Sequence, residues 1–246
     1  LLSPSGQILA TKTINNGTGQ TYADDGSGDI FAMANGGFGS LSLLGTGNAP
    51  VYLSTYDANG NVITSSVMVV ANQYSVNESE NINGVLLGDG SGNIAITYTA
   101  FDGSANYYQA IKIISPTGAT VTNPVNISGL LGATNYATTQ DLIKLSDGSL
   151  VAIWNSSSNT IKYRILNSDG SINSSKAIQS ISTIVSTDDS YAYSLHAEPT
   201  SDGGFAMTWT ARGTATTNYR INFAKFDSSG VKEFSVAVDP DGGGYA

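Results

Sequence analysis

Few residues in this chain could do acid–base or metal chemistry. There is one histidine, His196, in the strand-like run from Tyr191 to Ala197, and no cysteine. Transition-metal sites gather several Cys or His ligands, so a lone His reads as a strand residue facing a neighbour. Paired carboxylates can cleave glycosidic bonds. Here, however, Asp25, Asp57, Asp89, Asp147, Asp169, Asp202 and Asp227 all stand in glycine-containing turn sequences. Glutamate is limited to Glu78 and Glu80 in a loop, Glu198 at the end of a strand and Glu233 in another. Recognition of an anionic sugar would need a cluster of arginines on the substrate carboxylate. The three arginines, Arg164, Arg212 and Arg220, all fall in the later units and suggest no convergence on one pocket. These residues predict no catalytic centre and no enzyme.

Two acidic loops could hold calcium through oxygen ligands: Asp24, Asp25 and Asp29 in one, Asp239 and Asp241 in the other. Neither carries a closing bidentate Glu, and Asp side chains that cap their own turns explain them equally. No other cofactor is implied. Tyrosine is abundant, thirteen against two Trp. Tyr107, Tyr108, Tyr191 and Tyr193 stand near loops and could stack on sugar rings, whereas Tyr98, Trp154 and Trp209 end apolar runs and read as core.

Apolar residues make up 40% of the 246, enough for a packed core, but charged residues only 12%, against about a quarter in a typical domain. Ser, Thr, Asn and Gly fill the difference. A net charge of −9 is a poor match for nucleic acid or anionic lipid. No apolar run reaches the length of a membrane helix. No charged-then-apolar leader opens the chain, and both ends read as interrupted units of something longer.

These residues must be positioned by a repeat. One pattern occurs five times, with its glycine at Gly6, Gly60, Gly118, Gly170 and Gly230, in steps of 54, 58, 52 and 60. Each glycine sits where a tight hairpin needs positive φ. A second pattern interleaves with it: an Asp-Gly turn before a short apolar run, at Asp25-Gly26, Asp89-Gly90, Asp147-Gly148 and Asp202-Gly203, with Asp241-Gly242 a further copy. Each period then holds four short antiparallel strands. In the second unit these are Asn81 to Leu87, Asn93 to Phe101, Tyr107 to Ser115 and Thr120 to Ile127. The second strand is apolar on both faces, as Leu150-Val151-Ala152-Ile153-Trp154 shows, which suits a sheet covered on both sides. No helical periodicity persists.

The expected fold is all-β: a β-propeller of five blades, or a fragment of a longer array, with four antiparallel strands per blade. It forms one repeat domain over residues 1–246. The units are 17–73, 74–128, 134–183 and 190–238. Residues 1–14 are the end of a split or truncated blade, and 239–246 the start of a further blade or a closing strand.

Asp202-Gly203-Gly204-Phe205 with Trp209, then Phe226-Asp227-Ser228-Ser229-Gly230, resembles the tandem repeats of very large exported bacterial surface proteins, many of them adhesin-like and type I-secreted. That resemblance implies a secreted or cell-surface setting. It also implies partners among surface proteins, glycans, flanking repeats or other copies of the chain. The Ser-Asp-Gly triplets at Ser146 and Ser201 are less similar to the Asp boxes of sialidases, because Trp follows the Asp at a longer spacing. The reading that follows is a non-enzymatic module for adhesion, matrix or surface-layer architecture. Its alternatives are a lectin-like propeller with a shallow glycan site per blade and a glycosidase-like enzyme.

Overall fold

The computed structural model describes residues 28–43, 50–71, 82–101, 106–131, 140–157, 160–182, 189–213 and 219–238. They form sixteen strands in four four-stranded antiparallel sheets, each a simple meander. The first sheet is β1 (Gly28–Ala32), β2 (Phe38–Leu43), β3 (Val51–Tyr56) and β4 (Val62–Val70). The second is β5 (Ile82–Leu86), β6 (Ile94–Phe101), β7 (Tyr107–Ile114) and β8 (Val125–Asn126). The third is β9 (Gln140–Lys144), β10 (Leu150–Ser157), β11 (Thr160–Leu166) and β12 (Gln179–Ser182). The fourth is β13 (Asp189–Pro199), β14 (Phe205–Gly213), β15 (Tyr219–Phe226) and β16 (Lys232–Ala237). No described helix is long and apolar enough to cross a membrane.

The sheets stack face to face, with their first strands side by side: β1 meets β5, β5 meets β9 and β9 meets β13. This is a propeller-type arrangement, and the first strands line its axis. Apolar side chains fill the spaces between blades. Leu41, Leu53 and Val69 of the first blade meet Ile94, Ile96 and Tyr98 of the second. Ile111 and Ile113 meet Leu150 and Trp154, and Tyr163 and Ile165 meet Phe205, Met207 and Trp209. The second strands of the second and third blades are therefore buried on both faces, as their sequence requires.

Glycines end the strands at two turns per blade. Gly36, Gly90, Gly148 and Gly203 turn the first strand into the second, and Gly60, Gly118, Gly170 and Gly230 the third into the fourth, all at positive φ. The first blade corrects the sequence reading. Ile30 and Phe31 belong to its innermost strand, not its second, and the turn equivalent to Asp202-Gly203-Gly204-Phe205 is Asn35-Gly36-Gly37-Phe38. Asn35 replaces Asp because its side-chain oxygen likewise accepts a backbone N–H two residues on, here from Gly37 at 2.9 Å. The second glycine is needed for space. A Cβ on Gly37 would lie 1.9 Å from the Tyr56 carbonyl oxygen, and one on Gly204 would lie 2.1 Å from that of Phe226. The following ring then stacks on the same partner, Phe38 on Tyr56 at 4.5 Å and Phe205 on Phe226 at 4.6 Å. The fourth strand of the second blade is also shorter than expected: Thr120 makes one bridge to Ile114, and the ladder resumes only at Val125–Asn126.

Candidate site on the propeller axis

Strand register places one side chain per blade at the same level on the inner edge. Asp29 pairs with Leu41, Asn83 with Thr97, Asp141 with Ile153 and His196 with Thr208. Each lies seven residues before the first-turn glycine of its blade: 36 − 29, 90 − 83, 148 − 141 and 203 − 196. Both tight turns of each blade fall at the opposite end of the strands. The connections from second to third strand, and from one blade to the next, leave at the end that carries this ring. Loops gathered at one end of a rigid scaffold are where binding and catalytic groups concentrate.

The two aspartates are held alike. The Asp29 carboxylate accepts the N–H of Gly84, in the next blade, at 2.7 Å and that of Ile30 at 2.8 Å. The Asp141 carboxylate accepts the N–H of Ala197, again in the next blade, at 2.7 Å and that of Leu142 at 2.7 Å. His196 sits between two acids, its Nδ1 at 3.2 Å from Asp141 Oδ2 and its Nε2 at 3.3 Å from Glu198 Oε1. Ahead of it β13 is irregular: the register shifts between Tyr193 and His196, and Ser194 adopts φ 48°. Such a bulge re-aims the side chain that follows.

Burial raises both aspartates above the ordinary carboxyl value, against the lowering effect of their N–H donors and of His196. The charge of Asp29 raises Asp141 further. Desolvated carboxyls with raised proton affinity mark candidate acid–base sites.

The residues singled out in the sequence fare differently. Asp29, grouped with Asp24 and Asp25 in the sequence, lies in the axial strand β1. Asp24, Asp25, Asp239, Asp241, Gly6, Glu78 and Glu80 lie outside the described residues. No described group of three or more His, Asp or Glu is arranged to hold a metal ion. Asp57, Asp147, Asp169 and Asp227 accept backbone N–H groups within their own turns. Asp202 does so too, and also pairs with Lys225. Asp89 accepts the N–H of Ser91.

Tyr107 and Tyr108 are half-buried at the start of a third strand, away from the axis, with Tyr107 against Phe101 at 5.3 Å. Tyr191 and Tyr193 share the axial strand β13 with His196, opposite Arg212 and Thr210. Arg164 points away from the axis and donates to the Ile127 carbonyl of the preceding blade at 3.1 Å. Arg220 stands on the third strand β15. A groove of about 250 Å³ between the outer parts of the first two blades, beside Met68 and Pro124, is also remote from the acidic pair. Its one cation, Lys112, is tied to the Val69 carbonyl.

Sequence reasoning missed Asp141 and Asn83 altogether and read His196 as a lone strand residue. The constant offset of seven residues from the turn glycine would have aligned all four positions.

No family model matches the chain, and no curated protein matches it. Solved structures do. A Dyadobacter fermentans protein of unknown function aligns with a TM-score of 0.60 at 10% identity, over 88% of this chain and 70% of its own. A NanB sialidase from Streptococcus pneumoniae aligns with a TM-score of 0.61 at 10% identity, over 87% of this chain and 51% of its own. An α-L-arabinofuranosidase from Clostridium thermocellum aligns with a TM-score of 0.53 at 13% identity, over 86% of this chain and 72% of its own. The chain therefore spans only about half the length of the sialidase.

At these identities the likeness shows the fold, a propeller-type all-β architecture. It also overturns the reading of the chain as a non-enzymatic adhesion module. That reading rested on most of the acidic residues being spent on turns and on the arginines not converging on one pocket. The fold is one that a sialidase and an arabinofuranosidase share, and here its axis holds a desolvated acidic pair.

Proposed function

We propose that this chain is a glycosidic-bond-cleaving propeller domain whose acid–base pair is Asp29 and Asp141. The observation that carries the proposal is that these two half-buried carboxyls stand at the same axial register, each held by an N–H of its own blade and one of the next, at the end from which the long connections leave. Glycoside hydrolysis needs one carboxyl that is protonated to release the leaving group and one that is ionised to act on the anomeric carbon, directly or through water. Two acids sharing one desolvated site divide in this way, because both cannot ionise freely. His196 lies against Asp141 and acts to lower both acids. The two acids divide the roles of proton donor and ionised partner between them. The low identity to the named enzymes leaves the sugar open. We further propose a fifth blade between the fourth and the first, which would complete the ring beside His196.

The test is a panel of chromogenic aryl glycosides, with arabinofuranosides, galactosides and sialosides among them. Turnover of one should fall at least about 100-fold in Asp29→Asn and in Asp141→Asn, with urea unfolding showing both variants folded. Absence of turnover across the panel, or turnover that both variants retain, refutes the assignment.

A further inference from the structure

The four blades can be compared row by row, because their strand registers coincide. Lys112 and Arg164 hold the same place in the second and third blades, paired with Ile96 and Ala152 of the second strands. Each reaches back to the outer part of the preceding blade and donates to a carbonyl there, Lys112 to Val69 at 2.5 Å and Arg164 to Ile127 at 3.1 Å. The first and fourth blades carry Ser54 and Ala224 at this place, so the fold does not require a cation.

Lys112 differs from Arg164 in lining the groove of about 250 Å³ between the first two blades. That groove has a local cause. Val121 and Thr122 still donate to the Ile113 carbonyl, at 2.9 and 3.1 Å. Pro124 has no N–H to give, and the ladder resumes only at Val125. The chain therefore leaves the third strand around Asn123. Thr120, Asn123 and Pro124 form one side of the groove, and Met68 and Val69 of the first blade form the other.

An ammonium carries three donors, and the Val69 carbonyl takes one of them. No described carboxylate pairs with Lys112, and burial lowers its proton affinity with no opposing charge. The Thr120 hydroxyl and the Asn123 amide make no hydrogen bond to described residues. Met68, half exposed, and Pro124 add apolar surface. A partly desolvated cation with spare donors gains from an anion. One ammonium beside a carbonyl oxygen suits a single negative charge, whereas a phosphate dianion would lack a second cation. The volume falls below the about 300–1,000 Å³ of sites for drug-sized ligands, which leaves room for one sugar ring. Thr120 and Asn123 match its hydroxyls, and Met68 and Pro124 its C–H face. We propose that this groove is a second, non-catalytic binding site for a monosaccharide bearing one carboxylate, with Lys112 on the carboxylate. The sequence placed such recognition on clustered arginines. A single lysine gives a weaker site, and it stands whether or not the axial acids cleave glycosides.

The test is a ligand-observed NMR titration of the full chain with D-glucuronate as the probe. Saturable binding is expected with a Kd on the order of 1 mM. Lys112→Ala should weaken it at least about tenfold, because a hydrogen bond to a charged group is lost. Lys112→Arg should retain it, since Arg164 shows that arginine makes the same inter-blade bond. Thr120→Ala with Asn123→Ala leaves the Lys112 tie in place and should weaken binding about threefold or more, which keeps the test open should Lys112→Ala loosen the blades. Binding that survives all of these substitutions, or that is lost in Asp29→Asn, places the sugar elsewhere and overturns the proposal. Glucose bound as tightly as glucuronate overturns the role of the carboxylate, and acetate bound as tightly overturns the sugar. Inorganic phosphate bound more tightly overturns the single charge. No saturation below about 10 mM overturns the site.

Discussion

Replacing Asp141 separates its part in holding two blades together from its part in chemistry. Its side chain is 13% exposed and accepts two backbone N–H groups at 2.7 Å, one from its own blade and one from the next. A hydrogen bond to a charged group contributes about 1.5–3 kcal/mol, and a buried donor left without a partner costs about as much. Asp141→Ala strands both donors, so the gross loss is roughly 3–6 kcal/mol. Removing a desolvated carboxylate returns part of this, leaving a net loss of about 2–4 kcal/mol. Asp141→Asn keeps one acceptor but turns an NH2 toward the second donor, for about 1–3 kcal/mol. Asparagine is tolerated in this environment, since Asn83 occupies the equivalent place in the second blade. Urea unfolding at neutral pH with an unchanged m-value measures both losses. Asp29→Ala should match Asp141→Ala, because its bonds are 2.7 and 2.8 Å. An Asp141→Ala protein within about 0.5 kcal/mol of the parent refutes the inter-blade bond. A stable Asp141→Asn that keeps full turnover refutes the catalytic role while leaving the structural one intact.

Other substitutions test the repeat and its electrostatics. Gly204→Ala and Gly37→Ala both drive a Cβ into a carbonyl oxygen and should each cost about 1–3 kcal/mol or more; a neutral result in either contradicts the register equivalence of the two turns. Trp154→Ala and Trp209→Ala, each 1% exposed, should cost about 3–5 kcal/mol by calorimetry. Trp154→Phe should cost far less, because the Trp154 Nε1 has no hydrogen-bond partner to lose. Asp29 and Asp141 are raised by burial above the ordinary 3.8, so the folded state binds protons more tightly than the unfolded state. Stability should then rise as pH falls from neutral through the raised values toward 3.8. Below 3.8 it should fall, as Asp147, Asp169 and Asp227, held low by serine hydroxyls and backbone N–H groups, take up protons. Urea midpoints from pH 7 to pH 3 trace this dome, and Asp29→Asn with Asp141→Asn should flatten its neutral-to-acid rise.

The repeat was legible because turns and buried strands have local requirements. Gly60, Gly118, Gly170 and Gly230 recur where positive φ is needed, and the apolar runs ending in Tyr98 and Trp154 stand where a strand is covered on both faces. The first blade misled because Asp25-Gly26 imitates the turn motif, while the working copy, Asn35-Gly36, uses Asn for the same side-chain-to-backbone bond. The axial acids were harder to see. Asp29 lies close to the acidic run Asp24-Asp25 and was grouped with it. Asp141 has no acidic neighbour in sequence and stands out only when the register brings it to the same axial level as Asp29. Composition counts carboxylates but cannot distinguish one that caps its own turn from one aimed at the next blade.

The same bonds that make the axial acids useful for chemistry are the ones that hold the ring together. A carboxylate that reached only solvent would keep an ordinary affinity for protons and would have no fixed position. Here each takes an N–H from its own strand and another from the next blade, which fixes its oxygens, while burial between the blades raises its proton affinity. The repeat supplies this setting at every blade, and the residue type then decides what each position does. Asn83 cannot ionise, while Asp29 and Asp141 share the axis with a histidine that the Ser194 bulge precedes. Four copies of one structural position thus carry three side-chain chemistries. A repeat that merely spaced binding surfaces would have no reason to vary at this level while keeping the offset from its turn glycine constant. That combination, constant geometry with divergent ionisable groups at the axis, is what favours a single reacting centre over four equivalent weak ones.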